Sequence, residues 1–212
     1  YNRQEGLQND NILCAFTDRN GNIWLGLDNG IDYIAYNSAI KLINPSHSNA
    51  AAYTALIRAD QLYIGTSNGA LLGHLEEKGD LSFSQSVFQP IENSNGQVWS
   101  LSEINGKILM GHHEGAYYIE EGRAQAIQTG VGYWNFKPWS ATFPTDRILA
   151  GNYRGLQFFS FENQRFNAKE TLSPFEESSR YVVIDGEQRI WVSHPYHGIF
   201  RMNEKTQNCL LY

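Results

Sequence analysis

The chain has 212 residues, 42% of them apolar, and a formal net charge of −6. That length and apolar share can build a sizeable core, while the scattered Lys and Arg form no cluster for phosphate neutralisation, which argues against nucleic acid as a direct partner of this segment. No apolar run approaches a membrane span, and two cysteines, Cys14 and Cys209, are too few for a disulfide framework.

In chain order, one short phrase recurs. It reads IWLGLDNG at 23–30, LYIGTSNG at 62–69, ILMGHHEG at 108–115, ILAGNYRG at 148–155 and, one residue longer, IWVSHPYHG at 190–198. Its first glycine falls at Gly26, Gly65, Gly111 and Gly151, with Ser193 in the fifth copy, giving gaps of 39, 46, 40 and 42 residues. That period suits one blade of a β-propeller. The fold class expected is therefore all-β: about five propeller blades of four antiparallel strands, forming a fragment of a larger, seven-bladed ring. The blades span roughly 8–48, 49–92, 93–132, 133–175 and 176–212.

Each unit reads as four short strands. In the second copy these are YTALIRA, QLYIGT, ALLGHLE and LSFSQSVF. In the fifth, GIFRMNE and NCLLY supply strands three and four. The second strand is a continuous apolar run, as expected where both faces are covered by stacked neighbours. Strands one and two are joined at DRNGN (18–22), INGK (104–107), TDR (145–147) and DGEQR (185–189), where Asp and Gly suit tight turns. The sparse charge and missing helical periodicity exclude a helical solenoid. Gly30, Gly69, Gly115, Gly155 and Gly198 are read as structural, at left-handed or crowded positions. Trp24, Tyr63, Leu109, Leu149 and Trp191 occupy equivalent places and are expected to be wedges between blades.

The stretch DRNGNIWLGLDNGI (18–31), its lead-in GLQNDNI (6–12) and RIWVSHPYHGIFRM (189–202) resemble the regulator-propeller repeat of Bacteroidetes sensor proteins. The middle copies lack the Asp-x-x-Gly-Asn turn and the Trp. The resemblance implies a periplasmic sensor segment of an inner-membrane-anchored regulator, either a hybrid two-component histidine kinase or a relative ending in a helix-turn-helix. It implies an oligosaccharide ligand and control of polysaccharide-utilisation genes. It also implies a neighbouring propeller and a β-sandwich in the same protein, and a homodimer at full length. WD and kelch signatures do not recur. The sialidase Asp-box comes closer, but Asp18 reaches Gly21 at three residues and Trp24 at six, one more than that motif uses.

The variable letters of the phrase fall where strand two turns into strand three. In a four-stranded blade this turn shares a rim with the connections between blades, here ENSNGQVW (92–99), GVGYWNFKPW (130–139) and EESSRY (176–181). Flat aromatic faces stack on sugar rings, and Arg, Asn and His make directional bonds to hydroxyls and carboxylates. The candidate ligand-binding residues are Trp134, Trp139, Tyr153, Arg154, Arg180, His194 and Tyr196. Two other readings stay open: Trp134 and Trp139 plug a central channel, or they pack on another domain.

His112, His113, His194 and His197 sit in matching loops, but with Glu114 as the one supporting carboxylate no metal site is expected. No cofactor is expected, and no catalytic residue: no spacing ties two of Asp28, Glu114, Glu176 and Glu177 into a pair. The segment is read as a non-enzymatic sensor, the alternatives being a protein-interaction scaffold and, behind it, a glycoside-active propeller. The chain opens and stops inside patterned sequence and is read as a piece of a longer protein. As an open arc it would leave apolar faces uncovered around Ile23 and Leu25 in blade one and Ile190 and Val192 in blade five. Cys14, on a first strand, and Cys209, on a fourth, are expected to stay free thiols.

Overall fold

The structure, a computed structural model, describes residues 1–3, 6–35, 50–75, 87–172, 175–204 and 208–212. Among these, nineteen β-strands form five antiparallel sheets, each running in simple sequence order, and there is no α-helix. The first sheet holds β1 (Ile12–Thr17), β2 (Ile23–Leu27) and β3 (Gly30–Ile34). The second holds β4 (Ala52–Arg58), β5 (Gln61–Thr66), β6 (Gly69–His74) and β7 (Gln89–Pro90). The third holds β8 (Val98–Ile104), β9 (Lys107–His112), β10 (Gly115–Glu120) and β11 (Arg123–Thr129). The fourth holds β12 (Tyr133–Pro138), β13 (Arg147–Asn152), β14 (Gly155–Glu162) and β15 (Arg165–Thr171). The fifth holds β16 (Tyr181–Ile184), β17 (Arg189–His194), β18 (Gly198–Asn203) and β19 (Cys209–Leu211). Residues 81–86 of the expected strand LSFSQSVF, and the fourth strand expected of the first blade, lie outside the described residues; the described fourth strand of the second sheet is Gln89–Pro90.

Two compact units divide the chain: the first sheet lies in one, the other four in the second. In the second unit the first strand of each sheet packs against the first strand of the next, β4 on β8, β8 on β12 and β12 on β16. That stacking explains the continuous apolar runs. In β9, Ile108 and Met110 join a core with Tyr63 and Val98, while Leu109 joins the core with Tyr133 and Phe136. In β13, Ile148 and Ala150 face that same core and Leu149 faces the next, with Val182, Ile190 and Val192. Alternate side chains thus feed two interfaces, so neither phase of the strand can be polar.

The first glycine of the phrase makes this approach possible. A Cβ on Gly151 would stand 2.1 Å from the Ser179 carbonyl oxygen, and one on Gly65 would stand 2.6 Å from Val98 Cγ1. Both obstacles belong to the next blade. Gly155 is needed for a different reason: it turns β13 into β14 with φ +138°, which disfavours any side chain.

Two expectations are corrected. Ile190 and Val192 do not lie on the uncovered face of the fifth blade: both are 0% exposed against the fourth, and the open face carries Val183, Ile199 and Leu210. Leu25 is likewise buried, in a small cluster with Leu7 and Leu27. Period-2 phase cannot be read from a strand apolar at every position. The wedge assignment holds for Tyr63, Leu109 and Leu149, which are buried, but not for Trp24, which is 42% exposed, and only partly for Trp191, which is half-buried.

The two tryptophans clip their own hairpins instead. Asp18 accepts hydrogen bonds from the backbone N–H of Asn20 (2.8 Å) and Asn22 (3.0 Å) and from Trp24 Nε1 (3.2 Å). Asp185 accepts from the N–H of Glu187 (2.9 Å) and Arg189 (2.9 Å), from Arg189 Nε (2.7 Å) and from Trp191 Nε1 (2.8 Å). Cys14 and Cys209 are both free and exposed.

Candidate ligand-binding rim

The residue after the first glycine is the first of the variable letters, and its work is local. Thr66 Oγ1 accepts the N–H of Asn68 (3.1 Å), His112 Nδ1 that of Glu114 (3.2 Å), Asn152 Oδ1 that of Arg154 (2.8 Å) and His194 Nδ1 that of Tyr196 (3.1 Å). Three kinds of side chain thus do one job in four blades, closing the turn between strands two and three. Thr66, His112 and Asn152 are buried. Burial first, and then the neighbouring His113, hold the His112 pKa below its ordinary value. The ring is therefore neutral, with Nε2 donating to the Asn95 carbonyl (2.9 Å).

The face of the rim is made by the first strands. In the second, third and fourth sheets the pairing of strands one and two slips by one residue, at Tyr53, Trp99 and Trp134. Each slip precedes a polar residue set opposite or beside the first glycine: Thr54 opposite Gly65, Ser100 opposite Gly111, Asn135 opposite Gly151. A bulge of this kind re-aims one side chain off the pleat. Here it re-aims three aromatic rings into a row. Tyr53 stacks on Trp99 with centroids 5.0 Å apart, Trp99 meets Trp134 at 5.0 Å, and Trp134 meets Tyr153 at 4.7 Å. In the fifth sheet Tyr181 stands opposite Ser193, so Arg180 holds the corresponding place, its guanidinium 5.3 Å from the Trp134 ring centre.

The row is braced from behind. Trp99 Nε1 donates to Tyr153 Oη (2.7 Å) and Trp134 Nε1 donates to Ser178 Oγ (3.0 Å). With both indole N–H groups used internally, what these tryptophans present is ring face. Burial pushes the Tyr153 phenol up, the Trp99 hydrogen bond opposing, so Tyr153 keeps its proton. Tyr153 also walls a cleft of about 450 Å³, lined further by His113, Glu114, Tyr117, Gly132 and Arg154.

Trp134, Tyr153 and Arg180 therefore come together as the sequence suggested, and exposed Arg154 lines the adjoining cleft. Trp139 does not join them. Tyr133 to Pro138 form β12 itself rather than a connection, so Trp139 sits at the opposite end of that strand, against Phe158 and 5.2 Å from the Arg147 guanidinium. Tyr53 and Trp99 were missed as candidates. Their signal is the aromatic placed just before the polar residue that faces or adjoins the glycine.

His194 and Tyr196 belong to a second cluster. Glu177 Oε2 lies 3.4 Å from His194 Nε2 and 3.3 Å from His197 Nδ1, and the two imidazoles stack at 4.2 Å. The three ligand atoms are close enough to face one cation. The hydrogen bonds oppose that use. His194 Nδ1 already accepts from the N–H of Tyr196 and of His197, each at 3.1 Å. A histidine bound to metal through Nε2 carries its proton on Nδ1 and donates it; here that proton would meet two donors. The arrangement fits Nε2–H donating to Glu177. Tyr196 is 89% exposed above this cluster.

Comparison with known proteins agrees with the fold. The family model for the two component regulator propeller matches residues 6–29. No curated protein matches the chain. Among solved structures, the chain is similar to the extracellular domain of BT4673 from B. thetaiotaomicron, described as a hybrid two component system (TM-score 0.64, 16% identity, covering 97% of this chain and 31% of that one). It is also similar to the extracellular domain of BT3049 from the same organism, described in the same way (TM-score 0.65, 18% identity, 96% and 28%). The WD40 propeller domain of Doa1 matches as well (TM-score 0.57, 16% identity, 92% and 62%). The chain spans about a third of the length of the two B. thetaiotaomicron domains. Residues 6–29 thus match the two component regulator propeller repeat, and the five sheets match part of the β-propeller fold of the two B. thetaiotaomicron extracellular domains.

Proposed function

We propose that this chain is a ligand-sensing, non-catalytic propeller segment of a membrane-anchored regulator, acting on the periplasmic side and recognising an oligosaccharide through the rim of its second to fifth blades. The observation that carries the reading is the row of bulge-presented rings, Tyr53, Trp99 and Trp134, braced by Tyr153. The two indoles, whose N–H groups are already bonded, offer apolar faces, which suit the apolar faces of sugars. Tyr153 and Arg154, in the cleft beside the row, supply hydroxyl-directed hydrogen bonds. Among the described residues Glu114 is the one carboxylate lining that cleft, whereas glycoside hydrolysis by the usual route needs two. Output through a histidine kinase or a helix-turn-helix, the neighbouring domains, homodimerisation and control of polysaccharide-utilisation genes are parts of the same proposal, supported by the regulator-propeller repeat.

Tryptophan fluorescence and calorimetric titration against a panel of plant and host-glycan oligosaccharides test the reading. Saturable binding lost in Trp134→Ala and in Trp99→Ala is expected, with the sugar recovered unhydrolysed. Binding that survives both substitutions, or products appearing in the mixture, would refute it.

A further inference from the structure

Arg180 breaks the aromatic series of the rim, and the break has a chemical meaning. The position that holds Tyr, Trp and Trp in the second, third and fourth blades holds a guanidinium in the fifth. Arg180 is exposed and lies over the Trp134 ring at 5.3 Å and near the Tyr181 ring at 5.7 Å. Arg58, Arg123, Arg147 and Arg189 each face a carboxylate: Glu103, Glu92, Glu170 with Glu204, and Asp185 with Glu187. Arg180 faces none among the described residues, and nor do Arg154, Arg165 and Arg201, but of these it is Arg180 that lies over the Trp134 ring. The nearest acid in sequence with a fixed partner, Glu177, is turned to His194 and His197. The local frame is rigid: Asn135 Nδ2 donates to the Arg180 carbonyl (2.6 Å), Ser179 is fully buried, and Ser178 holds the Trp134 indole.

A guanidinium resting on an aromatic face keeps its N–H donors at the edge of its plane, already oriented. Such a fork matches a planar carboxylate or a sulfate oxygen pair, and its bonds to an anion are charge-assisted. Merely filling space in a packed rim would be served as well by the aromatic found in the second, third and fourth blades or the Leu13 of the first. We infer that the ligand of this rim is an acidic oligosaccharide, a sugar ring stacking on Trp134 and Trp99 while its carboxylate or sulfate is taken by Arg180. This inference rests on the oligosaccharide reading above and narrows it. The cleft beside Tyr153, whose lining carries both Glu114 and Arg154 and so no net charge, is then the place for the uncharged part of the ligand.

The test pairs each acidic probe with its own neutral counterpart. Uronate di- to tetrasaccharides are titrated beside their methyl esters, and sulfated disaccharides beside their desulfated forms, against the wild-type protein, Arg180→Gln, Arg180→Lys and Trp134→Ala. The acidic member of a pair should bind more tightly, by about 10- to 100-fold, and Arg180→Gln should erase that advantage, bringing the two members of the pair to equal affinity. Arg180→Lys should restore part of it, and the advantage should shrink as salt is raised. Which pair shows the effect separates carboxylate from sulfate. Equal affinity within every pair, or an advantage that survives Arg180→Gln, overturns the inference and leaves the sensor reading standing. No binding by any member overturns both. Circular dichroism and urea unfolding of Arg180→Gln, expected to match wild type, show that its loss is not one of folding.

Discussion

The first and fifth hairpins and those of the three middle blades solve one problem in two ways. In the middle blades the second strand is held from outside: Tyr63, Leu109 and Leu149 are buried between neighbouring sheets. In the first and fifth blades the matching residue is a tryptophan held from within, its indole N–H bonded to the aspartate that also closes the turn. The lesson is that one alignment column carries two mechanisms. A side chain with a bonding partner six residues upstream needs no neighbouring blade to fix it, whereas leucine has nothing but packing.

That contrast can be broken by substitution. The largest effect is expected from Leu149→Ala, which empties a fully buried site shared by two sheets and should reduce stability by about 2–5 kcal/mol in urea unfolding. If Trp24→Ala proves as damaging as Leu149→Ala, the half-exposed tryptophan is a wedge after all. Next comes Gly151→Ala. Its Cβ meets a backbone oxygen rather than a pliable side chain, so the fourth and fifth blades must part, at roughly 1–3 kcal/mol. A neutral result there would show that the two inner strands do not approach as closely as the structure places them.

Smaller still is Trp191→Phe, which keeps a ring but removes the N–H. It should destabilise less than Leu149→Ala, and it should be coupled to Asp185→Asn: the double variant loses less than the two single losses added together. Strict additivity would mean that the indole and the carboxylate act independently and that there is no clip.

The smallest effect concerns acid. The Trp191 N–H, followed by the Arg189 and Glu187 donors, holds the Asp185 carboxyl well below the usual carboxylate range, against an opposing push from desolvation. At Asp18 desolvation raises the pKa, but the hydrogen bonds from Asn22, Trp24 and Asn20 outweigh it and the value is lowered. A carboxyl depressed in the folded state contributes stability that is full above its unfolded pKa, about 4, and is lost as pH falls through the folded value. Stability should therefore decline below about pH 4, and the acid limb of Asp185→Asn should be shallower than that of wild type. An unchanged limb would remove the aspartate from the account.

Much of the fold was legible in the sequence because the phrase recurs at blade spacing and its glycines have a steric reason to recur. Less of the site was. Trp134, Tyr153 and Arg180, which the structure brings together, were picked out because they lie in polar-aromatic connections, but Tyr53 read as an ordinary strand residue, and Trp99, though its connection was placed on the rim, was not singled out. Only a one-residue slip in pairing turns them towards the rim, and a slip leaves no mark in composition. Trp139 misled for the converse reason: it sits five residues after Trp134, and a strand of that length carries it to the far end of the sheet. His194 looked like a ligand group, yet its Nδ1 is used by the turn that follows it.

What the sequence by itself determined is the repeating unit: four short strands, Asp-Gly turns, a glycine where the next blade must come close, and an apolar run where two neighbours press. These are local requirements of backbone geometry and desolvation, and each is written within a few residues. Tertiary structure alone decided which face of each strand meets which neighbour, which tryptophans are clipped rather than packed, and which rings from separate blades align beside Arg180. Those choices depend on strand register and on contacts between segments some forty residues apart, where a shift of one position reverses every side chain.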